Sequence, residues 1–134
     1  MIKAWWPAWL IMAAIFINSS IPKENLPDFG SWDLLSKKSA HFIEYSILGA
    51  AYLRGLSYKK APVRAHVFLG ILFGFLYAFS DEWHQSRVPG RQASLMDVAI
   101  DTLGSGAGAW AWAFFSRRKT ERNPTAPDSA VDLS

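Results

Sequence analysis

Four stretches of the chain are nearly free of charge, and polar segments separate them. Nineteen uncharged residues run from Ala4 to Pro22, between Lys3 and Lys23. Fifteen positions separate Lys38 from Arg54, with His41 and Glu44 near the start. Sixteen uncharged positions lie between Arg64 and Asp81, with a dense apolar core from Val67 to Phe79. Fifteen more separate Asp101 from Arg117, ending in Trp110-Ala111-Trp112-Ala113-Phe114-Phe115. A spanning helix needs about 20 mostly apolar residues. The first stretch meets this unaided. The others reach it once the polar residues at one end are included, because basic side chains snorkel and acids can face a bundle interior. A soluble four-helix bundle would instead need a polar face on every helix at 3.6-residue spacing, and Val67–Phe79 has none. The pattern therefore predicts an all-α fold: a small polytopic membrane protein with four transmembrane helices in a bundle.

Composition adds limits. A length of 134 residues allows a single domain, divided here into a membrane part over 1–116 and a basic, then disordered, tail over 117–134. No internal repeat stands out. The absence of cysteine excludes disulfides, thiolate metal sites and a thiol nucleophile. The mean hydropathy of +0.08 is low for a membrane protein, but it averages apolar stretches with polar segments. Trp5, Trp6 and Trp9 fall at one interface with Trp110 and Trp112, while Trp32 and Trp83 fall near the other, as in an aromatic belt. With the N-terminus inside, nine basic residues lie on the cytoplasmic side and five (Lys23, Lys37, Lys38, Arg87, Arg91) on the other. That bias predicts both termini in the cytoplasm. Lys3 with the first helix also resembles a secretory signal, but no small-x-small cleavage site follows Ile17, so an uncleaved span is expected. The Arg117-Arg118-Lys119 cluster fits anionic headgroups, and also a plain stop-transfer anchor.

The polar residues gather at one end. His41, Glu44, Tyr45 and Leu48 share one face of the second helix, and Asp97, Asp101, Gly104 and Gly108 one face of the fourth. The third helix runs out into Ser80-Asp81-Glu82-Trp83-His84-Gln85, then Arg87-Val88-Pro89-Gly90-Arg91. Ionisable groups at mid-helix cost roughly 2.5–3.5 kcal/mol each on insertion scales, so such a set is expected to share a partly wet pocket, with Arg87 and Arg91 closing it. Each residue has a duller role available. Ser94 and Asp97 form a capping box for the fourth helix. Gly104-x-x-x-Gly108 suits close helix packing, Pro89-Gly90 a type II turn, and Lys37 and Lys38 interfacial anchoring. His66 reads as interfacial, His41–Glu44 as one structural hydrogen bond, and Asp81 and Glu82 as acids that could pair with the arginines.

The same residues carry a resemblance. Lys38-Ser39-Ala40-His41-Phe42-Ile43-Glu44-Tyr45-Ser46-Ile47-Leu48-Gly49 resembles the first signature of the VanZ-like membrane proteins. The run from Ser80 to Gln85, with Val88-Pro89-Gly90-Arg91, Ser94, Asp97 and Gly104, resembles the second. Asp101 departs from the pattern, standing where asparagine is frequent. The resemblance implies a small integral protein of the bacterial envelope with a short helical bundle. The family's founding member is associated with resistance to the glycopeptide antibiotic teicoplanin, an association that supplies no reaction.

The leading expectation is an enzyme or binder for a phosphorylated membrane lipid in the bacterial cytoplasmic membrane. Glu82, His84, His41 and Glu44 are the acid–base candidates, with Glu44 orienting His41. Arg87, Arg91, Gln85, Tyr45, Asp81, Asp97 and Asp101 are the candidates for holding the headgroup. No cofactor is expected. The His and carboxylate set would suit a divalent ion, but no recognised ligand spacing is present. No nucleic-acid partner is expected. The alternatives are a non-catalytic envelope protein binding a glycopeptide-type antibiotic, a lipid or a partner membrane protein, and, ranked lowest, an ion pathway.

Overall fold

The computed structural model describes residues 2–58 and 62–122, with the side chains of 3–58 and 62–118. It shows four α-helices and, among the described residues, no strand. α1 spans Ile2–Ser19, α2 Asp33–Leu56, α3 Arg64–Gln85 and α4 Leu95–Arg122. Two single 3-10 turns, Lys23–Asn25 and Gly30–Trp32, shape the connection from α1 to α2. Neighbouring helices alternate in direction. Arg54 of α2 reaches the Ala4 carbonyl of α1 at one end, and Asn18 of α1 reaches Glu44 of α2 at the other.

Three of the uncharged stretches lie wholly within one helix, and the first runs past the end of α1 at Ser19 to Pro22. α4 also continues past the expected boundary at 116, as far as Arg122. The first strong helix breaker beyond Phe115 is Pro124, which disfavours helix at the residue before it. The rest of the expected tail, 123–134, falls outside the described residues.

Small residues set the packing. A Cβ on Gly104 would sit 2.6 Å from the Phe42 carbonyl oxygen, and one on Gly108 would collide with the Ser46 carbonyl. α4 therefore lies with its backbone directly on α2, an approach that lets Cα–H groups face carbonyl oxygens. Ser105, fully buried, is wedged between Gly49 of α2 and Gly74 of α3, and its hydroxyl donates to the Gly70 carbonyl at 3.3 Å. α1 is tied on by side chains: the Tyr77 hydroxyl donates to the Met12 carbonyl at 2.6 Å, and Trp5 packs on Tyr52 and Phe73.

Tyr45, Leu48 and Leu53 of α2 are buried in the core, but with glycine, alanine and serine at the closest contacts many large apolar side chains point outward. Phe68, Phe79, Leu103 and Phe115 are 65%, 54%, 68% and 68% exposed, while Asp101 and Ser105 are fully buried. Among the described residues α3 alone is long and apolar enough to cross a membrane. α1 carries Lys3, Pro7 and three tryptophans, and α2 and α4 carry ionisable groups in their first halves, all of which lower mean hydropathy.

Gly108→Leu is expected to destabilise the bundle by at least about 2–3 kcal/mol, since the clash is with backbone that cannot rotate away. Gly106→Ala is the control. Its Cβ would meet only the Ile71 side chain at 3.6 Å, so it should be neutral or stabilising by up to about 1 kcal/mol. Unfolding of both variants in detergent checks the difference.

Candidate functional site

At the end of the bundle that holds the loops 20–32 and 86–94, α1 to α4 each bring polar side chains inward. α2 contributes His41, Glu44 and Tyr45, α3 contributes Asp81, Glu82 and Gln85, and α4 contributes Asp97 and Asp101. α1 adds Asn18 and Ser19. His41 has Asp101, Glu44 and Asp81 as its charged neighbours, and Tyr45 has Asp81 and Asp101. The expected convergence of His41, Glu44, Tyr45, Asp81 and Asp101 is thus present in the structure.

His41 turns Nδ1 towards Asp101 Oδ2, 3.4 Å away, and Asp101 is fully buried. The histidine is therefore oriented by Asp101. Glu44, expected to be its partner, instead accepts a hydrogen bond from Asn18 Nδ2 at 3.4 Å. Glu44 remains a charged neighbour of His41 on the same face of α2, but the hydrogen-bond partner of His41 is Asp101, across the α2–α4 contact. Glu44 Oε2, Tyr45 Oη, Asp81 Oδ1 and Asp101 Oδ1 are buried with no side-chain or backbone hydrogen-bond partner among the described residues. The interior is rich in acceptors.

Other candidates serve joints of the fold. Asp81 Oδ2 accepts from the Ser19 hydroxyl at 2.8 Å and from Gln85 Nε2 at 2.9 Å, and Gln85 Nε2 also donates to Ser19 Oγ at 3.1 Å. This buried triangle clamps α1 to α3. Glu82 Oε2 accepts the Ser94 backbone N–H at 2.7 Å, while the Ser94 hydroxyl accepts the Asp97 N–H at 3.4 Å. The expected capping box is therefore split, with Glu82 from α3 taking the reciprocal role expected of Asp97. Asp97 is left to pair with Lys38 across the α2–α4 contact at 2.5 Å. His84 lies on the other side of α3 from Glu82, because residues two apart on a helix do not share a face. It bonds Ser20 Oγ at 3.0 Å and stacks on Phe16 at 4.6 Å.

The arginines do not close the acidic interior. Arg87 is exposed and lies over the Trp83 ring, 3.4 Å from its centroid. Arg91 donates from Nε to the Ile21 carbonyl at 3.2 Å and from Nη2 to the Asn18 carbonyl at 2.9 Å, capping the end of α1. The preceding turn has the expected form: Gly90 adopts φ +75°, and the Arg91 N–H closes onto the Val88 carbonyl at 3.1 Å.

Beside this interior is a pocket of about 180 Å3 between the 20–32 loop and the start of α2. Asn18, Ser36, Lys37, His41 and Arg91 supply its polar lining, and Phe29 is among its apolar walls. Lys37 is also bonded to Asp33, whose carboxyl it holds below its ordinary pKa through that hydrogen bond. Lys37 and Lys38 thus form ion pairs where simple interfacial anchors were expected. His41 belongs both to this pocket and to the buried acids behind it. Among the described residues, no group of three or more His, Asp or Glu is placed to hold a metal ion.

An all-helical bundle of small-residue contacts with an ionisable interior at one end defines the class. The VanZ/LLP1 family model matches residues 4–116, and the chain belongs to that family. No curated protein and no solved structure matches the chain.

Asn18 and Ser19 are joint residues to which the sequence assigned no role, and the ion pairs of Lys37 and Lys38 differ from the anchoring expected of them. Asn18-Ser19-Ser20 was legible as a polar triplet closing an apolar run.

The Glu82 geometry predicts a split between variants. Glu82→Ala should cost about 1–2 kcal/mol of stability by leaving the Ser94 N–H without its acceptor. Glu82→Gln keeps an acceptor oxygen and should cost much less. Thermal unfolding in detergent, with equal loss for both, would contradict the capping role.

Proposed function

We propose that this chain is a four-span protein of the bacterial cytoplasmic membrane, with both termini cytoplasmic, that receives a phosphorylated lipid headgroup in its His41 pocket. The observation that carries the headgroup reading is the lining of that pocket, where Lys37, Arg91 and His41 converge beside apolar walls. Guanidinium and ammonium groups bind phosphate oxygens through charge-assisted hydrogen bonds. Arg91 Nε and Nη2 are taken up by carbonyls, which hold the fork still and leave Nη1 for a ligand.

The membrane reading is supported by the reversed distribution of polarity. Phe68, Leu76, Leu103 and Trp110 are exposed while Asp81, Glu82, Gln85 and Asp101 are buried, the opposite of what water favours. Small-residue contacts between α2, α3 and α4 favour the same solvent. The orientation is supported by charge. Arg54, Arg64, Arg117 and Arg118 lie at one end, and the acids with the His41 pocket lie at the other.

His41 is the acid–base residue of this reading. Asp101 fixes its Nδ1, which leaves Nε2 as the nitrogen to exchange a proton with a headgroup hydroxyl, water or phosphate oxygen. A second reading, headgroup binding with no reaction, is favoured by a separate observation: Glu82, His84 and Arg91 are all committed to bonds within the protein.

Envelope lipid profiles in cells where deletion of the gene alters them test both. Lys37→Gln should weaken headgroup binding about tenfold and reproduce the deletion profile. His41→Gln should do the same if a proton is exchanged. Under simple binding it should keep the wild-type profile. Wild-type profiles from both variants would remove the pocket from the function.

A further inference from the structure

The opposite end of the bundle holds a larger cleft, about 490 Å3, between the start of α3 and the end of α4. Arg64, Arg117 and Arg118 line it together with Val67, Trp110 and Phe114. Two of the guanidinium groups are held in place by the protein. Arg117 donates from Nε and Nη2 to the Pro62 carbonyl at 3.1 and 2.9 Å, and Arg118 lies over the Phe114 ring at 4.0 Å. None of the three arginines is ion-paired among the described residues, where the ion pairs are those of Lys37, Lys38 and His41 at the other end. The carboxylates whose side chains are described lie within residues 24–44 and 81–101, also at that other end, while the Glu121 side chain is outside that set. The positive charge of the cleft is therefore uncompensated by described side chains. Directly beside it Trp110 and Phe115 are 64% and 68% exposed.

We propose that this cleft binds the headgroup of an anionic phospholipid. The arginines would take the phosphodiester, and Val67, Trp110 and Phe114 would lie along the upper acyl chains. Preset guanidinium groups match the planar, bidentate demand of a phosphate oxygen pair. The adjoining exposed aromatic rings select an amphiphile over a free anion. Basic pockets between spanning helices commonly recognise lipid headgroups in this way. The site is separate from the His41 pocket, and neither Arg64 nor Arg118 contributes to that pocket.

The test uses the full chain in micelles containing dioleoyl phosphatidylglycerol and dioleoyl phosphatidylcholine, with bound lipid counted by native mass spectrometry. The wild type should retain phosphatidylglycerol over phosphatidylcholine. Replacing Arg64 and Arg118 together by Gln should lower that preference by about fivefold per residue, or about 25-fold for the pair. Thermal unfolding should be unchanged, because neither side chain is hydrogen-bonded to the backbone of another element. Should the double variant fail to fold, exposed Arg64→Gln alone reads the same effect at about fivefold. Equal retention of the two lipids by the wild type would overturn the proposal, as would undiminished preference in a folded variant. Displacement of phosphatidylglycerol by millimolar inorganic phosphate would overturn the assignment to a lipid.

Discussion

Gly104 and Gly108 bring the backbone of α4 onto the Phe42 and Ser46 carbonyls of α2, and the rest of the molecule is arranged around that approach. Where the two backbones touch there is no space for leucine or phenylalanine, and Leu48 and Leu53 of α2 are buried to either side of that seam while many of the remaining large apolar side chains face outward. The points of closest approach are left to glycine and serine, which contribute little hydrophobic burial. What holds such a surface together is shape, with a few hydrogen bonds such as Ser105 to the Gly70 carbonyl. Bulky groups outward and small groups inward form a stable arrangement where the surroundings are as apolar as the side chains, as they are in lipid.

The same closeness places the ionisable residues. Asp101 lies one turn before Ser105 on α4, so the register that seats Ser105 between Gly49 and Gly74 also carries Asp101 into the bundle. There it meets His41 of α2. A turn earlier Asp97 reaches Lys38, nearer the rim. Packing register and site geometry are thus one constraint, and a shift of α4 along α2 would separate both pairs at once.

Much of this was legible beforehand. The uncharged stretches located the four helices, and the i, i+3, i+4, i+7 spacing of His41, Glu44, Tyr45 and Leu48 gave the inward face of α2. Gly104 and Gly108 announced the close contact. Gly70 and Gly74 form the same motif on α3 and went unread, since a glycine pair inside a run of phenylalanine and leucine is masked by the hydropathy around it. The roles of Glu82, Arg91 and Asp97 were not legible either. Each depends on a partner distant in sequence, namely the Ser94 N–H, the Asn18 and Ile21 carbonyls, and Lys38. Residue type reveals that a carboxylate will seek a donor. It does not reveal whether that donor is a ligand or the exposed start of a neighbouring helix.

That distinction orders the candidates by function. A buried polar side chain whose bonding capacity is spent on the fold cannot also engage a ligand without weakening the fold. Asp81 Oδ2 with Ser19 and Gln85, and Glu82 with Ser94, are committed in this sense. His84 is held against Phe16 and Ser20 on the far side of α3. His41 differs from all of them. Its Nδ1 faces Asp101 from behind, its ring borders the pocket in front, and it makes no bond that joins α1 to the bundle or caps a helix. Its bond to Asp101 lies between α2 and α4, which the glycine contacts already hold together. The proposed function therefore rests its proton exchange on His41, with Asp101 beside its Nδ1 and Lys37 and Arg91 lining the same pocket.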